Sequence, residues 1–289
     1  MAELRRLGPD LGEAALQLWN QGARFDPLTA DLLAEKVWED PDFEPDRCLA
    51  AFSDGRLIGW AIAVCRSRRA VVKMLVVHPD ERRRGIGRQL LDAALAGVSG
   101  EVRVCESPPN YLIPGVDERD ADTAAFLRAM GFEAFETTRN LRVDLTRLPG
   151  SGPVAPGYRI ERARAVDSGA VEQLLSAHWP AWQDEVATSL SREPPALFLA
   201  WDDQDRVAAF SAHDGNNRGT GWFGPMGTDP GHRGRGLGRA LLLRSLEDFR
   251  RGGMDEAVIP WVGPVEFYRA AVGAEVDRTF VRFRRAMPV

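Results

Sequence analysis

Cysteine and histidine are scarce in this sequence of 289 residues, and no long apolar run is present. The three cysteines, Cys48, Cys65 and Cys105, form no CxxC pair, which favours reduced thiols in a cytoplasmic protein. The four histidines are scattered without ligand spacing, so we expect no metal site. No segment has the apolar length that crosses a bilayer, and charges interrupt the N-terminal segment, so neither a membrane span nor a signal peptide is expected.

A basic excess is also absent. The formal net charge is −5, and neither half of the chain is a basic module, which argues against nucleic acid as the main partner. One basic segment, RTFVRFRR at 278–285, alternates arginine with Phe and Val and is typical of a strand with one exposed face. The other basic segment, 82–84, indicates a local site for an anion.

The chain contains an internal duplication. HPDERRRGIGRQLL at 78–91 returns as DPGHRGRGLGRALL at 229–242. One proline and two glycines of each copy lie 151 residues from their counterparts, without a slip: Pro79, Gly85 and Gly87, then Pro230, Gly236 and Gly238. This period is the size of a domain, and the Pro- and Gly-rich segment between the copies is typical of a linker. We therefore predict domains at 1–147 and 158–289 with a linker at 148–157.

The predicted elements follow the same order in both halves. Short strands precede each copy, a helical pattern follows it, and further strand patterns come after the helix, which indicates a mixed α/β fold. In the first half the strand before the copy is AVVKMLVV at 70–77, and in the second it is GWFGPMGT at 221–228. A proline two residues beyond each strand prevents its continuation.

The glycines therefore lie in a strand-to-helix turn, at the N-terminus of a helix. Free backbone N–H groups and the positive end of the helix dipole make this place an anion site, and glycine allows the backbone to approach phosphate oxygens. A P-loop is excluded because Arg88-Gln89 and Arg239-Ala240 stand where Lys and Ser or Thr are required. A dinucleotide-binding fold is excluded because the turn follows the fourth strand rather than the first.

The repeated R-x-x-G-x-G turn, with its strand and helix, closely resembles motif A of the GNAT superfamily, the acyl-CoA-dependent N-acyltransferases. Both halves carry the resemblance, and EAVIPWVGPVEFYRAAVGAEV at 256–276 also resembles motif B. The resemblance implies a tandem protein of two GNAT-type domains, each an α/β unit with a mixed, mostly antiparallel sheet flanked by helices.

The family also implies acetyl-CoA as the donor substrate. Its pyrophosphate would lie on the loop amides, and its pantetheine arm would extend along the edge of the fourth strand, where backbone N–H groups would polarise the thioester carbonyl. The residues that the resemblance assigns to donor binding are Leu75, Val77, Arg83, Arg84, Gly85, Ile86, Gly87 and Arg88 in the first half, and Met226, Gly227, Thr228, Arg233, Gly234, Arg235, Gly236, Leu237, Gly238 and Arg239 in the second.

The two halves differ in one catalytic group. In this family a tyrosine on the motif B helix often protonates the departing thiolate, and the second half offers Tyr268. The first half has Leu127 at the corresponding place, and leucine cannot donate a proton. The segment YRAAVG has one residue more than its counterpart LRAMG. We predict that the second half is catalytic. For the first half three interpretations stay open, namely a silent CoA site, a second active site and a decayed scaffold that packs against its twin, and we favour a non-catalytic half that is able to hold CoA.

The general base is left open. Some family members carry a glutamate near the start of the fourth strand, but Trp222 and Val71 occupy that position here. His213 and Glu266 are candidates, as is a chain of waters leading to solvent; a turn histidine and a solvated carboxylate are the plainer interpretations of the two residues.

Two further segments lie where an acceptor would bind. Asn110, Tyr111 and Asp117, in a long Pro-rich segment, would line a substrate-facing surface or belong to an ordinary loop. The two tryptophans of HWPAWQDE at 178–185 would stack on a ring or sugar of the acceptor, or pack in the core.

These observations predict an enzyme that moves acetyl from acetyl-CoA to a primary amine of a small molecule, as a monomer or homodimer without metal, membrane or nucleic acid. Two alternatives stay open: a CoA or acyl-CoA sensor or scaffold without turnover, and an N-acetyltransferase acting on proteins.

Overall fold

The two copies of the duplicated sequence lie in two separate units of structure. The computed structural model describes residues 2–66, 69–150 and 152–287. Unit 1 comprises residues 1–138 and 279–289, and unit 2 comprises residues 139–278. Among the described residues, no helix is both long enough and apolar enough to cross a membrane.

Unit 1 contains four helices among its described residues: α1 Gly12–Gly22, α2 Ala30–Lys36, α3 Ile86–Ala94 and α4 Ala121–Ala129. Its strands are β1 Glu3–Arg6, β2 Cys48–Ser53, β3 Arg56–Arg66, β4 Arg69–Val77, β5 Gly100–Val104 and β6 Val116–Asp117, together with parts of β7 Glu133–Asp144 and β13 Glu275–Met287. The predicted strand at 70–77 is confirmed as β4, and the helical pattern after the copy as α3. Helix α2 begins after Thr29, whose hydroxyl accepts a hydrogen bond from the Leu32 amide.

The sheet of unit 1 is mixed and mostly antiparallel. Strands β1 to β4 pair in sequence order and antiparallel, and β4 then pairs with β5 in parallel. The parallel pairing runs from Arg69 opposite Glu101 to Val72 opposite Val104 and ends there, so the two strands diverge beyond Val72. One core cluster packs β2 to β4 against α1 and α2, and another packs the opposite face against α3 and α4.

Unit 2 repeats the plan. Its helices are α5 Ser168–His178, α6 Gln183–Leu190, α7 Leu237–Arg251 and α8 Val265–Val272, and its strands include β8 Arg159–Arg162, β9 Leu197–Trp201, β10 Val207–His213, β11 Phe223–Thr228 and β12 Glu256–Ile259. Strands β8 to β11 are antiparallel neighbours. A single parallel bridge joins Trp222, just before β11, to Val258 of β12, so these strands also diverge. The predicted fold class is confirmed in both units.

The division into units differs from the predicted domains at the last strand. The sequence placed all of 158–289 in the second domain, but residues 279–289 belong to unit 1 and residues 139–147 to unit 2. In unit 1 the C-terminal strand pairs antiparallel with β5, where Arg284 lies opposite Arg103, and buries Phe283 in the core. In unit 2 residues of β7 pair with β12, where Val143 lies opposite Ala257. The predicted linker contains Ser151, which lies outside the described residues.

Candidate active site

The predicted donor strand of unit 1 presents its backbone to an open edge. The His78 amide donates to the Ile58 carbonyl on β3 at 2.8 Å. Since hydrogen-bonded and non-bonded residues alternate along an antiparallel pair, the amides of Val77 and Leu75 point away from β3. Beyond Val72 this edge has no pairing with β5, so both amides are available to a ligand.

Unit 2 shows the same arrangement. The Asp229 amide donates to the Ala208 carbonyl on β10 at 2.9 Å, and Thr228 lies opposite Ala209. By the same alternation the amides of Thr228 and Met226 point to the free edge of β11. These are the two residues predicted to align the donor.

Each donor strand carries one extra residue. On β4 the register skips Lys73, and on β11 it shifts across Gly224 and Pro225. The two irregularities fall at equivalent positions, since Gly224 lies 151 residues after Lys73. Such bulges bend a strand and change the direction of its side chains. Here they occur where β4 diverges from β5 and where β11 diverges from β12.

The turn of unit 2 that is predicted to bind the pyrophosphate leads into the N-terminus of α7. Gly234 and Gly236 have φ of +75°, a left-handed conformation that favours glycine. A Cβ at either position would meet no atom within 4 Å, so the space before the helix is open. The first turn of α7 therefore offers unpaired amides and the positive dipole end to an anion. Leu237, its first residue, turns its side chain into the core, so only its backbone serves the loop.

The loop of unit 1 has the same form with one difference. Gly85 has φ of +82° and precedes α3, whose first residue, Ile86, is buried. Arg83 has φ of +64° at the place of Gly234, so a side chain is held in a left-handed conformation there. Arg88, which is predicted to bind the donor, is the third residue of α3 and is exposed.

The arginines of the loops have different partners. Arg233 Nε donates to the Thr228 carbonyl at 3.3 Å, so this predicted donor-binding residue also ties the loop to the end of β11. Arg235 donates to the Tyr158 hydroxyl at 2.8 Å, whereas its counterpart Arg84 pairs with Glu81 at 2.8 Å. Sequence reasoning missed Tyr158, because no local pattern connects residues so far apart in the chain.

The motif B helix approaches the loop through a phenylalanine in each unit. A Cβ on Gly238 would lie 3.7 Å from the Phe267 ring, and a Cβ on Gly87 would lie 3.2 Å from the Phe126 ring. Because each phenylalanine faces the equivalent glycine, the residue that follows it is also equivalent. Tyr268 therefore corresponds to Leu127, as expected from the sequence. The additional residue of the second segment falls after Tyr268, towards the end of α8.

Tyr268 lies beside β11 in an aromatic, half-buried setting. Its ring is edge-on to Phe267, with 5.0 Å between centroids, and to Phe223 of β11, with 6.4 Å. Together with Met226 it packs against the core cluster formed by β12, α7 and α8. Burial raises the pKa of Tyr268 to about 12, so the phenol keeps its proton at neutral pH and is able to donate it.

The two base candidates, His213 and Glu266, and the strand position held by Trp222 lie in different settings. Trp222 is buried at the start of the donor strand and carries no proton acceptor. His213 is buried and binds Asp248 through Nε2 at 2.9 Å, and its ring stacks on Phe198. Glu266 is exposed and pairs with a residue one helical turn away. His213 therefore serves the interior of unit 2, which corrects the interpretation of a surface turn histidine.

Asp248 joins two elements of unit 2 through charge. It accepts hydrogen bonds from His213 and from the Arg162 guanidinium. Burial alone would raise the pKa of Asp248, but these two hydrogen bonds outweigh burial and hold the pKa at about 2, below the ordinary 3.8. The stability that this carboxylate contributes is complete above pH 3.8 and is lost as the pH falls towards 2.

We predict that Asp248→Ala lowers the free energy of unfolding by about 1 to 3 kcal/mol, because the buried His213 imidazole and the half-buried Arg162 guanidinium lose their acceptor. Urea unfolding at pH 7 measures this, with Asp203→Ala, a change at an exposed turn of the same unit, as the matched control. The difference between wild type and Asp248→Ala should shrink as the pH is lowered to 2. A variant as stable as the control at pH 7 would contradict the assignment.

Two predicted acceptor-side groups are placed differently. Asn110, Tyr111 and Asp117 are buried within unit 1 and line no open surface, which corrects their interpretation as substrate-facing residues. Trp179 and Trp182 are half-buried and stack on each other, with 5.7 Å between centroids. A Cβ on Gly227 would lie 2.8 Å from Trp179, so the pair packs directly on the donor strand.

Comparisons with known proteins agree with this geometry. Residues 44–134 match the family described as "Acetyltransferase (GNAT) domain", and residues 166–272 match the "Acetyltransferase (GNAT) family". A tandem GNAT protein from the clavulanic acid biosynthesis pathway superposes with a TM-score of 0.73 at 22% identity, with 100% of each chain covered. At that identity the likeness shows the fold.

Two relatives found by sequence share a higher identity with this chain than that structure does. The mycothiol acetyltransferase of Mycobacterium avium is 33% identical over 229 residues, which cover 72% of this chain and 68% of the relative. The mycothiol acetyltransferase of Clavibacter michiganensis subsp. michiganensis is 31% identical over 262 residues, covering 86% and 82%.

The chain belongs to the GNAT acetyltransferase family, with two GNAT domains in tandem. It is an acetyltransferase, and the prediction of acetyl transfer to an amine of a small molecule is confirmed at that level of detail.

Proposed function

We propose that unit 2 carries out the reaction, with acetyl-CoA as donor. The observation that carries this proposal is the convergence of three groups in one unit: the open amides before α7, the free edge of β11 at Met226 and Thr228, and the protonated phenol of Tyr268. The turn would hold the pyrophosphate, and the edge amides would bind the pantetheine arm and polarise the thioester carbonyl.

In this proposal the neutral amine attacks the thioester carbon, and the oxyanion that forms is stabilised by a β11 amide. The C–S bond then breaks, and Tyr268 gives its proton to the departing sulfur, which leaves as the thiol. The ammonium proton of the acceptor leaves through water, and water returns a proton to the Tyr268 phenolate.

Unit 1 shares the loop and the free strand edge but has Leu127 in place of the phenol. We propose that it binds acetyl-CoA without transferring acetyl. The acceptor is proposed to be a primary amine related to that of mycothiol acetyltransferases, since two relatives of that name cover most of this chain. The cytoplasmic location and the monomeric or homodimeric state stay predictions.

The test separates an enzyme from a CoA sensor. Purified protein is incubated with acetyl-CoA and, in turn, the acceptor of mycothiol acetyltransferases, glucosamine, butylamine and a peptide with a free N-terminus. We expect release of free CoA thiol together with an equal amount of one acetylated small amine, measured by mass spectrometry. Acetyl-CoA binding with no thiol release on any amine would favour the sensor, and acetylation of the peptide alone would favour a protein acceptor.

A further inference from the structure

The sequence contains two lysines, Lys36 and Lys73, and both are buried in unit 1, at 0% and 2% exposure. Lysine is rarely buried without a partner, because its charge loses hydration there. Both lysines lie on the α2 side of the sheet, Lys36 on α2 itself and Lys73 against Asp40, which follows α2. Their placement therefore affects whether a second ligand can enter unit 1 from that side.

Lys73 is the extra residue of the β4 bulge. Its ammonium pairs with Asp40, which follows α2, and Asp40 also accepts a hydrogen bond from Arg66 at 2.7 Å. Burial lowers the pKa of Lys73 to about 7, while the Asp40 carboxylate acts in the opposite direction. A primary amine of this chain is thus held two residues before Leu75, the residue whose amide faces the donor edge.

The second lysine closes the same side. Lys36 Nζ binds Glu35 at 2.6 Å and the side-chain oxygen of Asn110 at 2.8 Å. The Asn110 side chain in turn donates to the Glu35 carbonyl at 2.6 Å. The long segment after β5 is therefore fastened to the end of α2, and each of the two lysines lies in a buried polar group on this side.

At the equivalent bulge of unit 2 the residue is glycine, so no side chain extends from it. Gly224 stands where unit 1 has Lys73, and a Cβ added to Gly224 would meet no atom within 4 Å. Its neighbour Phe223 contacts the Tyr268 ring, and Met226, whose amide faces the donor edge, lies two residues further on. Gly224 therefore comes directly after the residue that contacts the proposed acid, and two residues before the residue whose amide is proposed to bind the carbonyl.

We propose that the residue at this bulge decides whether a unit takes an acceptor: the acceptor amine enters unit 2 through the space at Gly224, and the Lys73 side chain fills the equivalent space in unit 1. This rests on the proposed donor site of unit 2. It assigns Gly224 as a specificity-determining position, and it explains a donor site without turnover in unit 1 by occupation of the acceptor space as well as by Leu127.

The test uses two ligands that share the CoA moiety and differ in the group that the sulfur carries. One is acetyl-CoA, and the other is CoA alkylated with N-butyl bromoacetamide, which carries a butylamide where the acceptor would lie. In full-length protein with Gly85→Asp to disable unit 1, binding is measured by calorimetry for three forms: Gly224, Gly224→Ala and Gly224→Lys. Gly224 has φ of +115°, so both substitutions strain the backbone alike and Gly224→Ala is the matched control.

We expect the alanine variant to bind both ligands. The lysine variant should bind acetyl-CoA like the alanine variant but the butylamide at least about 10-fold more weakly, the cost of forcing a side chain and a ligand into one space. Equal butylamide affinity of the two variants would overturn the proposal. If the Gly85→Asp protein binds neither ligand, the donor site itself is wrong, and that failure is recognised separately.

A second experiment, on unit 1, tests the proposal if substitution at Gly224 disrupts β11. In protein with Gly236→Asp to disable unit 2, Lys73→Ala opens the space in unit 1 while Arg66 continues to pair Asp40. Butylamide binding should rise at least about 10-fold over the Lys73 form relative to acetyl-CoA. Two results would overturn the proposal. One is that unit 1, with Lys73 in place, binds the butylamide as tightly as acetyl-CoA. The other is a gain of 42 Da mapped to Lys73 after incubation with acetyl-CoA.

Discussion

Tyr268→Phe is expected to lower kcat by about 100-fold or more, the range of a lost general acid, with little change in the affinity for acetyl-CoA. The ring remains, so its packing on Phe223 and Phe267 is kept and only the proton donor is removed. Steady-state kinetics with the acceptor that the amine panel identifies, and calorimetry with acetyl-CoA, measure the two quantities separately. Because the pKa of Tyr268 is raised to about 12, wild-type kcat should not fall through loss of this proton below about pH 11.

The matched control is Tyr111→Phe, which removes the same group from a buried tyrosine of unit 1. Its kcat should stay near that of wild type, since Tyr111 lies outside the proposed machinery. Wild-type turnover by Tyr268→Phe across the whole pH range would remove the tyrosine from the mechanism and leave solvent as the proton source.

Gly236→Asp is expected to weaken acetyl-CoA binding to unit 2 by about 100-fold, since like charges brought together at a binding site cost several kcal/mol. An aspartate tolerates the left-handed conformation better than most residues, and its Cβ would enter open space, so the fold should survive. The carboxylate would then stand before the α7 N-terminus, where the pyrophosphate is proposed to lie. Calorimetric titration with acetyl-CoA gives the affinity and the number of sites.

Gly236→Asn separates charge from shape. It has the size of aspartate without the negative charge, and it should lose clearly less affinity than Gly236→Asp. Gly85→Asp makes the same change in unit 1, and turnover should suffer more from the change in unit 2 than from that in unit 1. Equal acetyl-CoA binding by wild type and Gly236→Asp would mean that the loop does not hold the donor.

Much of the donor site follows from local sequence. A strand, a stop proline, glycines and an amphipathic helix are adjacent in the chain, so Pro230, Gly236 and the α7 pattern specify the turn without reference to distant residues. The duplication strengthens each assignment, because the same pattern occurs at the same spacing in both halves. For this reason the strand order up to the loop and the edge residues were predictable.

Contacts between distant segments were not predictable in this way. Lys73 and Asp40 are separated by 33 residues and Arg235 and Tyr158 by 77, and neither pair forms part of a periodic pattern. The surroundings of His213 depend on Asp248 and on Phe198 of the neighbouring strand. A strand pattern such as RTFVRFRR shows that a strand forms and which face is apolar, but it carries no information on which sheet accepts it.

Because residues 279–289 of the C-terminal strand belong to unit 1, a cut between the two halves of the sequence does not separate the two units. A protease that nicks the chain between residues 148 and 157 would yield two fragments, yet residues 279–289, which complete unit 1, would be carried by the second. The first fragment alone would expose the edge of β5 that Arg284 and its neighbours normally cover. We therefore expect that the first fragment alone would lack a strand of unit 1, and that activity would return only when the two fragments are combined.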